Sequence, residues 1–168
     1  MVTQKDFSSK SRQYNGCGPA AAVTLISEIY DFGCKKNEIS AMNRLYDLMK
    51  PGAGGTYVPE FISGTNVFLK EVGLNWKAEG FWIRSNERKD KRKYDGKFYK
   101  FCADFLKNHE NDKVAFLTLD SMRKLPFVSW HWNIMSGKEI LNNGFNLWYE
   151  TCNKRGGLVA LKKGELLK

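Results

Sequence analysis

The stretch Gln13-Tyr14-Asn15-Gly16-Cys17-Gly18-Pro19-Ala20-Ala21-Ala22 sets a cysteine at the point where a glycine turn gives way to a helix. Pro19 suits the first helical turn, because its φ is already fixed and it has no N–H to leave unpaired there. Ala20, Ala21 and Ala22 are strong helix formers. Val23, Leu25, Ile26, Ile29 and Tyr30 then supply a buried side, and Gly33 offers a stop. The first N–H groups of a helix have no partners within it, and the helix dipole favours negative charge at that end. A thiol held there is expected to ionise more readily than a free one, and the thiolate is the nucleophilic form.

Outward from this point the chain reads as helices first and strands second. Asn37 is expected to cap a second helix carrying Ile39, Met42, Leu45, Tyr46 and Met49, which Pro51-Gly52 ends. A glycine-rich loop at 51–55 leads to a third helix after Thr56, with Phe61, Ile62, Val67, Phe68 and Val72 on its apolar side and Gly73 at its end. Gly64 counts against that helix. Residues 75–83 read as a strand and 98–106 as a fourth helix, whose Cys102 is a small core residue. Four apolar or β-branched runs follow, at 114–119, 127–135, 145–150 and 157–161, and each reads as a strand. This order implies an α+β fold with helices packed on an antiparallel sheet. No repeat or linker divides the chain, so residues 1–168 form a single domain, with the polar residues 1–12 loosely held.

Composition narrows the class. A hydrophobic fraction of 42% with 14% aromatics argues for a folded core rather than disorder. No apolar run approaches the roughly 20 residues of a membrane span. The start, Met1-Val2-Thr3-Gln4-Lys5-Asp6-Phe7, lacks the apolar centre of a signal peptide, as expected of a cytoplasmic protein, of one exported without a classical leader, or of a secreted one whose leader has been removed, so localisation stays open. The formal net charge of +9 suits an acidic peptide or protein, an anionic membrane surface or nucleic acid. The densest basic run, Arg88-Lys89-Asp90-Lys91-Arg92-Lys93, reads as a solvated loop, and a nucleic-acid partner is the lesser reading. The four cysteines show no C-x-x-C spacing and there are only two histidines, which disfavours a zinc site and leaves reduced thiols.

A cysteine nucleophile needs a base. His109 lies in the polar turn Lys107-Asn108-His109-Glu110-Asn111-Asp112 and reads as solvated. His131 lies inside Val128-Ser129-Trp130-His131-Trp132-Asn133-Ile134-Met135, where an unpaired histidine would be costly. A third group would orient the imidazole. If Gly137 and Gly144 face each other across a hairpin, His131 lies opposite Glu150, and Asn146 and Asn153 are the alternatives. The oxyanion needs donors, for which the Cys17 N–H and the Gln13 side-chain amide are candidates.

The segment from Gln13 to Ala21 followed by a helix resembles the nucleophile segment of papain-fold cysteine peptidases. It is most similar to the bacterial branch related to the double-glycine-leader peptidases that process bacteriocins. The run at 114–119 and then His131-Trp132-Asn133-Ile134-Met135-Ser136-Gly137 resemble that branch's histidine strand and the strand before it, and Tyr149-Glu150-Thr151 matches the place of its Asp or Asn. The resemblance implies a cysteine peptidase with Cys17 as nucleophile, His131 as base, Glu150 as orienting group and Gln13 in the oxyanion hole. It implies no metal or organic cofactor. Two other readings remain: another thiol acyl-transferase of transglutaminase type, and a non-catalytic module that binds an acidic partner.

Overall fold

The computed structural model describes residues 1–83, 103–120, 129–140 and 156–164. Four helices lead: α1 (Lys10–Asn15), α2 (Cys17–Ile26), α3 (Lys35–Met49) and α4 (Val58–Glu71). The strands β1 (Trp76–Ile83), β2 (Lys113–Asp120), β3 (Ser129–Ser136) and β4 (Gly156–Lys163) form an antiparallel sheet in the order β1-β4-β2-β3. The fold is α+β. Strand alternation sorts the sheet into two faces. Ala78, Ala115, Leu117, Trp132, Val159 and Leu161 join Leu25, Ile26, Met42, Leu45, Phe61 and Leu69 of the helices in the main core. Val114, Leu158 and Ala160 face the other way and close a smaller core with Leu106, from the helical stretch 103–108, and Ile140. Strand β2 is therefore apolar on both faces, which is why its sequence shows an unbroken apolar run instead of alternation.

Local chemistry moves several element ends from where the pattern sets them. Helix α2 stops at Ile26 rather than near Gly33. Ser27 Oγ donates to the Thr24 carbonyl, and the N–H groups of Glu28 and Ile29 bond three residues back, which tightens and closes the last turn. Cys34, not Asn37, is the N-cap of α3, because the Asn37 amide donates back to the Phe32 carbonyl at 2.8 Å. That helix ends at Lys50 in the left-handed conformation (φ 48°), its N–H bonded to the Tyr46 carbonyl, just ahead of Pro51. Gly64 proves useful to α4: a Cβ there would lie 2.6 Å from Met49 Cγ, so the missing side chain lets α4 close on α3. Residues 98–102 of the expected fourth helix and the strand expected at 145–150 lie outside the described residues. So do Cys102, Cys152 and the run Arg88–Lys93.

The first dozen residues are packed, contrary to the expectation of a loose end. Thr3 and Asp6 form a reciprocal capping box, with the Thr3 N–H donating to the Asp6 carboxylate at 2.8 Å. Val2 is buried and Phe7 is only 1% exposed, its ring edge-on to Tyr46 at 5.4 Å. Lys35 pairs with Asp6 at 2.8 Å. Arg12 pairs with Asp47 at 2.8 Å and lies over the Tyr46 ring. Two buried apolar side chains in a polar stretch suffice to pin it, a signal too sparse for periodicity to register.

His109 is also not solvated. It is buried, with Nδ1 2.8 Å from Asp112 Oδ2 and Nε2 3.2 Å from Glu79 Oε1, and its ring lies against Phe105. The polar turn supplies one carboxylate from three residues away and β1 supplies the other. The histidine is thereby a tie between the 103–112 segment and the sheet.

Candidate active site

Helix α2 is buried along its whole length, all ten residues from Cys17 to Ile26. Its run of alanines follows from that burial, since small side chains let a central helix approach β3, α3 and the sheet closely. The Gly16 carbonyl accepts the Ala20 N–H at 3.1 Å and so starts the helix, with Cys17 as its first residue. Next to it Gly18 is in close contact with Thr56: a Cβ on Gly18 would lie 2.6 Å from both Cβ and Oγ1 of Thr56.

The thiol reaches from this helix start to β3, the end strand of the sheet among the described residues. The main-chain N–H of Trp132 donates to Cys17 Sγ, and the N–H groups of Gly18 and of Cys17 itself also face it. Trp132 buries its indole on the helix side, stacked on Phe61 at 4.2 Å, with Nε1 donating to the Thr56 carbonyl at 2.8 Å. His131 precedes it in β3, partly buried and paired across the ladder with Thr118. Alternation turns the His131 side chain to the opposite face from the indole. The thiol meets the main chain of β3 at Trp132, the residue next to His131 in the sequence.

Burial pushes the Cys17 thiol above its ordinary value of 9.0, and the three N–H groups offset only part of that. This corrects the expectation of easier ionisation. A helix start favours the thiolate, but here Cys17 is only 8% exposed, and desolvation outweighs the aligned N–H groups. The resting group is a neutral thiol that needs a base. Alkylation of Cys17 in the folded protein, followed by peptide mass spectrometry, is therefore expected to show its inflection above pH 9. Linkage fixes the accompanying stability trend. Between the unfolded and the raised folded pKa the unfolded chain holds fewer protons, so this group's contribution to stability falls as pH rises through that window. Cys17→Ala should remove that part of the alkaline decline, and an inflection below 9 would contradict the burial argument.

Gln13 is engaged elsewhere. Its Nε2 donates to the Phe7 carbonyl at 2.7 Å and to the Lys5 carbonyl at 3.2 Å, so both amide hydrogens bind the N-terminal segment. It serves as an anchor for residues 5–7 in this structure, not as a donor held toward the thiol. Gln13→Ala is expected to cost about 1–2 kcal/mol of stability for two lost bonds. The pH profile of Cys17 alkylation should stay unchanged in that variant, and a shifted profile would return Gln13 to the thiol site.

Glu150, Asn146 and Asn153 lie outside the described residues. Cys17 and Cys34 are not in disulfides. Among the described residues no group of three or more His, Cys, Asp or Glu side chains is arranged to hold a metal ion, and no helix is long and apolar enough to cross a membrane. Thr56, which the sequence offers only as the residue before a helix, is the contact that pattern reading misses. A small hydroxylated residue after a glycine loop carries no periodic signal.

No known family profile and no curated protein matches the sequence. Among solved structures the chain is similar to the Pseudomonas avirulence protein AvrPphB, at 10% identity and a TM-score of 0.41, over 95% of this chain and 100% of that one. A likeness at that level leaves the site to rest on this chain's own residues.

Proposed function

We propose that this chain is a papain-fold cysteine peptidase. The observation that carries the reading is the thiol of Cys17 at the start of α2, bonded to the main-chain N–H of Trp132, one residue from His131. His131 takes the thiol proton as Sγ attacks a peptide carbonyl, so that a neutral resting thiol is compatible with nucleophilic attack. The S–C bond forms, the C–N bond breaks, and the imidazolium returns the proton to the leaving amine. Water then hydrolyses the thioester, with His131 as base again. The N–H of Cys17 is the first candidate donor to the oxyanion. Glu150 is assigned the orienting role for His131 from the sequence. The substrate class is a peptide or protein, with acidic segments favoured by the net charge of +9.

The test is identification of new N-termini in a protein mixture exposed to the wild-type chain and to Cys17→Ala. Termini that appear with the first and vanish with the second support the peptidase. A second reading, a non-catalytic module binding an acidic partner, draws on the burial and raised pKa of the thiol. Identical termini with both proteins favour it.

A further inference from the structure

Three contacts close a ring around the candidate nucleophile. Gly18, next to Cys17, packs on Thr56 so closely that a Cβ on it would lie 2.6 Å from Thr56 Cβ. The Thr56 carbonyl accepts the Trp132 indole N–H at 2.8 Å. The main-chain N–H of Trp132 then returns to Cys17 Sγ. Burial fixes two members of this ring, since Thr56 is 1% exposed and Trp132 3%. Phe61 of α4 stacks on the indole at 4.2 Å with an interplanar angle of 27°, which sets the plane of the ring. A buried indole N–H is costly to leave unpaired, so the side chain has one good seat, with its N–H on that carbonyl.

The strand needs such a hold. Among the described residues β3 is paired on one side only, along all eight residues with β2. No ladder sets the distance from β3 to α2. Only two torsions separate an indole from its own main-chain nitrogen, so a ring fixed in place and in plane fixes that nitrogen as well. Thr56 in turn packs on Gly18, so the seat of β3 is referred to the first turn of α2 itself.

We propose that Trp132 is a positioning residue for Cys17, its indole clamping β3 to the Thr56 carbonyl so that its main-chain N–H stays on Sγ. When Cys17 ionises, that N–H is a charge-assisted donor already in place. A strand free to drift would surrender it. The purpose of the clamp rests on the reading of Cys17 as the nucleophile, but the contact concerns the thiol and not peptide cleavage.

The experiment is the pH profile of Cys17 alkylation by iodoacetamide, followed by peptide mass spectrometry, in the wild type, Trp132→Phe and Phe61→Leu. The position of the inflection is the readout, because a looser strand also changes access and so the amplitude. Trp132→Phe keeps a ring against Phe61 and loses the indole N–H. Its inflection is expected to rise by about one pH unit, about tenfold in rate at a fixed pH below it. Phe61→Leu loosens the stack and lowers Tm but keeps the indole bond, so its inflection should stay with the wild type. A Trp132→Phe inflection that is unmoved or lowered overturns the proposal. So does a Phe61→Leu inflection raised by as much, which would make the effect one of general loosening. Hydrogen exchange of the wild-type chain, read by NMR near neutral pH, needs no variant at Trp132. The Trp132 amide is expected to be protected at least about a hundredfold over the open chain, together with its indole N–H. An amide that exchanges at the open-chain rate overturns the proposal even if Trp132→Phe fails to fold. None of these readouts depends on peptide turnover. An absence of new N-termini therefore counts against the peptidase alone, and an unmoved inflection counts against the clamp alone.

Discussion

On the proposed peptidase reading, Cys17→Ala is expected to reduce peptide cleavage by roughly a thousandfold or more, because no other group at the start of α2 can form the covalent intermediate that reading requires. Pro19 and Ala20 beside it carry no nucleophile, and Gly18 carries no side chain at all. The fold should survive. The side chain removed is small, and α2 keeps nine other buried residues in place. The stability cost should stay near about 1 kcal/mol, a few degrees in Tm for a chain of this size. Activity measured by new N-termini and stability measured by thermal unfolding separate the two effects. Retained cleavage with an unchanged Tm would remove Cys17 from the chemistry. Lost cleavage with a Tm lowered by more than about 10 °C would mean that the substitution unfolds the protein, and Cys17→Ser would then have to carry the test.

Part of this arrangement was legible in the sequence, and the reasons differ residue by residue. Cys17 stood out because a glycine, a proline and three alanines define a helix start by local chemistry alone. The core strands β2 and β4 stood out because burial on one or both faces leaves an apolar run. The contacts that shape the site are non-local and gave no such signal. Trp132 lies 76 residues from Thr56, and the bond between them depends on how β3 settles against the 51–57 loop. The sign of the thiol's pKa shift depends on non-local packing in the same way. The helix dipole is a local property that can be read from Gly16 to Ala22, whereas the burial that outweighs it comes from elements distant in sequence, α3 and β3 among them, packed against the helix. His109 followed this pattern too: one of its carboxylates, Asp112, sits in its own turn, and the other, Glu79, comes from 30 residues upstream.

The N-terminal segment carries the largest expected stability effect. Phe7→Ala should destabilise the protein by about 3–5 kcal/mol, the usual cost of removing a fully buried phenylalanine. For a domain of this size that corresponds to roughly 10 °C in Tm. The side chain is 1% exposed and meets Tyr46 edge-on, and it closes against Gly16, where a Cβ would collide with its ring. It also presents its carbonyl to the Gln13 amide. Its loss leaves a cavity under the turn that joins α1 to α2, directly before the thiol. Tyr14→Ala is the matched control, a similar aromatic 75% exposed on the same short stretch, and its cost should stay within about 0.5 kcal/mol. Equal, small losses in the two variants would mean that residues 1–12 are loosely held after all, as their polar composition alone implies. A large loss in Phe7→Ala alone would show that the segment is part of the folded core and a support for the Cys17 turn.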